Sequence, residues 1–109
     1  MARRSTLIDI PELKTYVLDK NGVPVHEPDM VKYGAFLASD AKVLKRDTLP
    51  NGICVSTIFI GVDYSSPPRL WETVIFGGPD DGYQQRYSTR ESALAGHEKA
   101  IARASGKPQ

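Results

Sequence analysis

The chain has 109 residues, 40% of them hydrophobic and 25% charged, with 14 Lys plus Arg against 13 Asp plus Glu. That length fits one domain, which removes roughly two-thirds of its unfolded surface from water. The near-balance of charge excludes a strong field toward DNA or an acidic membrane, so nonspecific nucleic-acid binding is not expected.

A single cysteine, Cys54, rules out an internal disulfide and a cysteine-built zinc cluster, and suits a reducing cytoplasm. The opening Met1-Ala2-Arg3-Arg4 has the basic character of a signal peptide start, but Asp9, Pro11 and Glu12 interrupt the apolar stretch that would have to follow. The longest nearly uncharged run, from Ile53 to Val62, reaches about half of a membrane span, so no bilayer crossing is expected.

Residues 1–14 read as an N-terminal arm without clear periodicity, in which Leu7, Ile8 and Ile10 offer an apolar surface to a neighbour. Residues 15–106 form the single domain, and 107–109 a tail. Tyr16-Val17-Leu18 and Val23-Pro24-Val25 predict a hairpin about Asn21-Gly22, a pair that suits a type I′ turn because both residues tolerate positive φ. Pro24 cannot donate to a ladder and makes this an edge hairpin.

Asp29 is a candidate N-cap for a helix over 29–39, with Met30, Tyr33, Phe36 and Leu37 on its apolar side. A strand over 42–46 leads to the turn Pro50-Asn51-Gly52 and then to a third strand from Ile53. There Ile53, Val55, Thr57 and Phe59 share one face, and Cys54, Ser56, Ile58, Ile60 and Val62 the other. Apolar groups on both faces fit a central strand. Pro67-Pro68 ends it, and Leu70 to Phe76 returns, with Leu70, Glu72, Val74 and Phe76 opposite to Trp71, Thr73 and Ile75.

After a polar loop over 80–85, Ser88-Thr89-Arg90-Glu91 has the spacing of a capping box, with the Ser88 hydroxyl and the Glu91 carboxylate serving opposite backbone N–H groups. The helix that follows carries Ala93, Leu94, His97, Ala100, Ile101 and Ala104 on one stripe, the pattern of a face laid on a sheet, and Gly106 and Pro108 end it. The elements together predict an α+β fold: an antiparallel sheet of about four to five strands packed by a C-terminal helix, with one shorter helix after an N-terminal hairpin.

No complete catalytic, metal or nucleotide-binding signature is present. Gly77-Gly78-Pro79-Asp80-Asp81-Gly82 lacks the Lys-Ser or Lys-Thr of a phosphate loop and reads as a turn. Cys54 and Ser56 lie within a strand rather than on an activating elbow, which favours packing over nucleophilic chemistry.

His97 is the one polar member of the helix stripe. With Asp63 and Glu72, brought to one end of the sheet by the Pro67-Pro68 turn, it could hold a divalent metal or pass a proton as a small hydrolase would. The plainer alternative is a His that satisfies a buried polar atom, with the acids solvated at strand ends. Arg69, Arg86 and Arg90 form a second candidate group, a cationic site at the last helix start for a nucleotide or other small anionic ligand, against the alternative of a solvated basic rim. Tyr64 and Tyr83, in loops, are candidates for a recognition surface, whereas Trp71 is expected to pack under a helix.

The run Val55-Ser56-Thr57-Ile58-Phe59-Ile60-Gly61-Val62-Asp63 is followed by Pro67-Pro68, Trp71-Glu72-Thr73-Val74-Ile75-Phe76-Gly77-Gly78, Arg86-Tyr87-Ser88-Thr89 and Ala95-Gly96-His97. The combination resembles a family of small proteins of bacteriophages, prophages and actinobacterial genomes, over about residues 15–103. The resemblance implies a phage or mobile-element setting and no particular reaction.

Small phage accessory proteins often bind a host component. The expectation is therefore a non-enzymatic protein of the host cytoplasm, without cofactor or metal, that binds a host protein or a defence-related ligand through residues such as Tyr64, Tyr83, Arg69 and Arg86. A second copy could cover the edge hairpin and the arm, which makes a homo-oligomer part of that expectation. The runners-up are the nucleotide sponge at the last helix start and the metal-dependent hydrolase around Asp63, Glu72 and His97.

Overall fold

The structure, a computed structural model, describes residues 13–106. Leu7, Ile8 and Ile10 of the proposed arm, and the tail 107–109, lie outside the described residues.

The first two strands, β1 (Tyr16–Leu18) and β2 (Pro24–His26), form an antiparallel hairpin. Its turn is not type I′. Asn21 keeps a negative φ and only Gly22 is left-handed, at φ 77°. The Gly22 N–H donates to the Asp19 carbonyl and the Asp19 N–H to the Val23 carbonyl, which is a type I turn closed by a glycine bulge. The Asp19 carboxylate prefers this form, because it accepts the N–H groups of both Asn21 and Val23.

Helix α1 (Met30–Ala38) starts where expected, with the Asp29 carboxylate capping the N–H groups of Val31 and Lys32. Tyr33 is its buried contact, and its hydroxyl donates to the Ile60 carbonyl. Phe36 and Leu37 are half-buried, but Met30 stays 61% exposed, because the first turn projects past the edge of the core.

A 3-10 turn (Asp40–Lys42) leads into β3 (Val43–Thr48), β4 (Cys54–Phe59), β5 (Trp71–Phe76) and β6 (Gln84–Tyr87), an antiparallel meander in the order β3-β4-β5-β6. The sheet, the two helices and the hairpin make the predicted α+β fold. Two details differ from expectation. Strand β4 ends at Phe59 rather than running to Val62, since Gly61 turns the chain at φ 70°, so close to the Tyr16 carbonyl that a Cβ there would collide with it. The polar segment before the last helix supplies a strand, β6, whose Gln84-Gln85-Arg86-Tyr87 shows no apolar alternation because it is a short edge.

Helix α2 (Arg90–Ala104) lies across one face of the sheet. The register pairs Val55 with Ile75, Thr57 with Thr73 and Phe59 with Trp71 on that face, all buried. Val55, Ile75 and Ile53 pack with Ala100 and Ala104, and Phe59, Trp71 and Leu70 with Ala93. Tyr16, Leu18 and Phe36 close the second cluster from the hairpin and α1. A bulge between Val43 and Lys45 lets Leu44 join it as well.

The capping box at α2 sits one residue later than its sequence spacing suggests. Thr89 is the cap, accepting the Ser92 N–H, and the Ser92 hydroxyl accepts from the Thr89 N–H. Tyr87 is still paired with Trp71, which leaves Ser88 to turn the chain and displaces Ser88 and Glu91 from the capping roles.

Candidate functional site

The strand pairing divides the candidate polar residues between the two faces of the sheet. Thr57 and Thr73, opposite each other on β4 and β5, point toward α2, whereas their neighbours Ile58 and Glu72 point away. His97 therefore meets the threonines and not Glu72.

The His97 ring is fully buried. Its Nδ1 lies 2.7 Å from the Thr57 hydroxyl, and its Nε2 lies 2.8 Å from the Asp47 carboxylate on β3. The Thr73 hydroxyl is 2.5 Å from that of Thr57. One arrangement of protons satisfies the whole chain: Thr73 donates to Thr57, Thr57 donates to His97 Nδ1, and the Nε2–H donates to Asp47. Asp, His and a hydroxyl in series are the parts of a nucleophilic triad, but Thr57 and Thr73 are wholly buried and no substrate reaches them. The cluster is a polar seam between α2 and the sheet. The alternative meeting of His97 with Asp63 and Glu72 does not occur, because both ring nitrogens are taken by Asp47 and Thr57.

Asp63 and Glu72 belong to a second network beyond the turn end of β4. The Asp63 side chain, only 6% exposed, accepts the Arg69 N–H at 2.8 Å, the Arg69 Nε–H at 3.3 Å and the Ser65 N–H at 3.2 Å. Arg86, across the ladder from Glu72, donates through Nη1 to Asp63 and through Nε to Glu72, each at 3.2 Å. Burial alone would raise the Asp63 carboxyl. The hydrogen bonds from Arg69 and Ser65 outweigh it and hold the group well below the usual carboxylate range.

Arg69 and Arg86 thus converge, as a cationic site would need, but on a carboxylate of this chain. A free anion would have to displace Asp63, which already fills the fork. Among the described residues no three His, Cys, Asp or Glu side chains are placed to share a metal ion.

The aromatic candidates also divide. Tyr64 is 66% exposed beside a shallow pocket of about 190 Å³ lined by Lys14, Tyr16, Asp63 and Ser65. Tyr83 is half-buried against the Val55 cluster, with the Arg103 guanidinium 4.6 Å from its ring centre, and so is a packing residue. Trp71 packs under α2 as expected.

Sequence reasoning missed Asp47 and both threonines as partners of His97. A signal existed: Thr57 and Thr73 were the polar members of otherwise apolar strand faces, just as His97 was of its helix stripe.

The sheet face turned away from α2 carries no other element of the described residues. On it Cys54 stands opposite Phe76, Ser56 opposite Val74 and Ile58 opposite Glu72. Phe76 is 53% exposed, and Cys54, Ile58 and Val74 are half-buried. Arg46 and Arg86 flank this strip from the edge strands β3 and β6. No helix among the described residues is long and apolar enough to cross a membrane. No family model matches the chain, and neither the curated proteins nor the solved structures contain a match to it.

Proposed function

We propose that the chain is a non-enzymatic binding module that seats a partner protein on the sheet face opposite α2. The phage or prophage setting implied by the sequence pattern makes a host cytoplasmic protein the expected partner. The observation that carries this reading is the apolar strip Cys54, Ile58, Val74 and Phe76, flanked by charged residues and covered by no other element of the described residues. Phe76 stands at one end of the strip, opposite Cys54, and an exposed aromatic in an apolar patch with a polar surround is a common anchor of a protein interface.

The engagement of the candidate catalytic groups supports the same reading. His97 is held by Asp47 and Thr57, and Asp63 and Glu72 by Arg69 and Arg86. A hydrolase centred on Asp63, Glu72 and His97 would first have to dismantle both networks, and a nucleotide site at Arg69 and Arg86 would have to break the second.

The test is affinity capture from infected or lysogenic cells with the wild-type chain and with Phe76→Asp, each shown to be folded by its unfolding midpoint. A partner retained at near-stoichiometric level by the wild type and lost with the variant supports the reading, since removing one buried Phe anchor weakens binding by about 1.5–3 kcal/mol. Capture unaffected by Phe76→Asp, or no partner at all, counts against it.

A further inference from the structure

The strip opposite α2 has a relief that matches itself. Across β4 and β5, Cys54 stands beside Phe76, Ser56 beside Val74 and Ile58 beside Glu72. In the first two of these rows the small side chain is on β4 and the larger one on β5, so the surface steps up along a line parallel to the strands. Phe76, 53% exposed, forms the top of the step, and Ser56, 7% exposed, belongs to its foot.

A second copy of the same step fills it under one symmetry. A two-fold axis parallel to the strands, lying over the line between β4 and β5, sets β5 of each copy over β4 of the other. Phe76 then seats on Cys54 of the second copy and Val74 on its Ser56, and the same two contacts recur in the opposite direction. An axis running across the strands at the Ser56–Val74 row would instead place Phe76 over Glu72 and leave the step unfilled.

Charge makes the same choice. Arg46 stands beside Ser56 on the outer strand β3, exposed, with its Nε–H directed to the Ser56 hydroxyl at 3.4 Å. The axis across the strands would bring Arg46 onto Arg46 of the second copy. The axis along the strands brings it over Gln84 at the β6 edge of the second copy, one diagonal step from the Glu72 carboxylate on the same face. Facing sheets cross at about 30°, so the row of Glu72 and Arg86, at the end of the strip away from Phe76, lies at the margin of the contact where water still reaches its ion pair.

We propose that a second copy of this chain covers the strip, the two sheets packing face to face about a two-fold axis parallel to the strands, and that this dimer holds the strip closed until a partner protein takes it. The inference rests on the reading of the strip as a docking face and names what covers it in the free protein. A two-fold contact consumes the strip of both copies, so association ends at two.

The test is sedimentation equilibrium of the full chain in a reducing buffer over a series of concentrations. The expected result is a monomer–dimer equilibrium with no larger species. It should persist in reductant, because the Cα atoms of the two Cys54 residues would lie about 11 Å apart, given the spacings between sheets and between strands, too far to bridge. Phe76→Asp, at an exposed position, should keep its unfolding midpoint and stay monomeric throughout. Cys54→Phe sets Phe on Phe and should weaken the dimer about tenfold, as an overpacked contact does. Cys54→Phe combined with Phe76→Cys in one chain exchanges the two sides of the step and should restore association.

A dimer that Phe76→Asp leaves intact, one that the exchanged pair does not restore, or association that needs a disulfide or continues beyond two copies overturns the proposal. So does a monomer at every concentration, which leaves the strip to residues 1–12 or to a different protein. The two readings of the strip fail separately. A monomeric chain that still captures a host protein through Phe76 refutes the dimer alone, and a dimer that captures nothing refutes the binding module alone.

Discussion

Two polar networks, each containing an aspartate, lie on opposite sides of one sheet, and their surroundings give them different physical roles. The Asp47–His97–Thr57–Thr73 seam is sealed between α2 and strands β4 and β5, with three of its four members wholly buried. The Asp63–Arg69–Arg86–Glu72 network sits beyond the turn end of β4, where Arg69 and Arg86 keep 48% and 38% of their side chains in water. In the seam each hydrogen bond replaces a solvent contact that the group cannot recover, so loss of one partner leaves the others unsatisfied. In the outer network water re-solvates whatever is released. An aspartate therefore helps to hold the helix on the sheet in one place and orders a loop in the other.

The sharpest test of this contrast is His97→Ala, which opens a cavity and strands Thr57 and Asp47 together. It should cost about 3 kcal/mol or more in chemical denaturation. A loss below about 1 kcal/mol would mean that water replaces the ring and that the seam is not sealed. Next comes Gly96→Ala, because a Cβ at Gly96 would collide with the Tyr87 phenol ring and lift α2 from β6. Helix propensity would favour Ala by about 1 kcal/mol. Overpacking should outweigh it for a net loss of about 1–2 kcal/mol, and a net gain would show that Tyr87 moves aside freely.

Asp63→Asn should be milder in its global effect but should change the pH profile. The folded-state carboxyl titrates below its unfolded value of about 4. Its contribution is therefore complete above that value and is lost as pH falls through and below it. The wild type should lose stability between about pH 4 and pH 2, and Asp63→Asn should lack that component of the loss. Identical acid limbs would separate Asp63 from the stability of the fold. The smallest effect is expected for Glu98→Ala, which breaks the exposed 2.7 Å ion pair with Lys45 and should leave the unfolding midpoint within experimental error.

The legibility of the chain followed its apolar periodicity. Helix α2 was readable because Ala93, His97, Ala100 and Ala104 recur on one side, and β4 and β5 because their residues alternate. Asp29 marked α1 because a carboxylate before an apolar period has one common use. Strand β6 was hidden, since Gln84 and Gln85 on an edge carry no inward signal. The capping register at α2 was hidden too, since Ser88, Thr89 and Ser92 all have hydroxyls and only the length of β6 selects among them.

For the sites, the turn at Pro67-Pro68 was enough to place Asp63, Arg69 and Glu72 near one another, because an antiparallel return leaves little choice. The partner of His97 was beyond reach, because Asp47 lies 50 positions away in the chain. A strand also flips each successive side chain to the opposite face. A shift of one residue in register would have turned Glu72 toward His97 in place of Thr73.

By itself, then, the sequence determined the α+β elements, their approximate order and the polar residues from which the networks are built, because periodicity and turn chemistry are local properties. Only the tertiary structure decided which acid meets the histidine, that the two arginines close on Asp63 rather than on a ligand, and that α2 covers one sheet face while no other described element covers the opposite one. Those outcomes depend on strand register and on the side of the sheet that α2 covers, and both are set by packing between residues far apart in the chain.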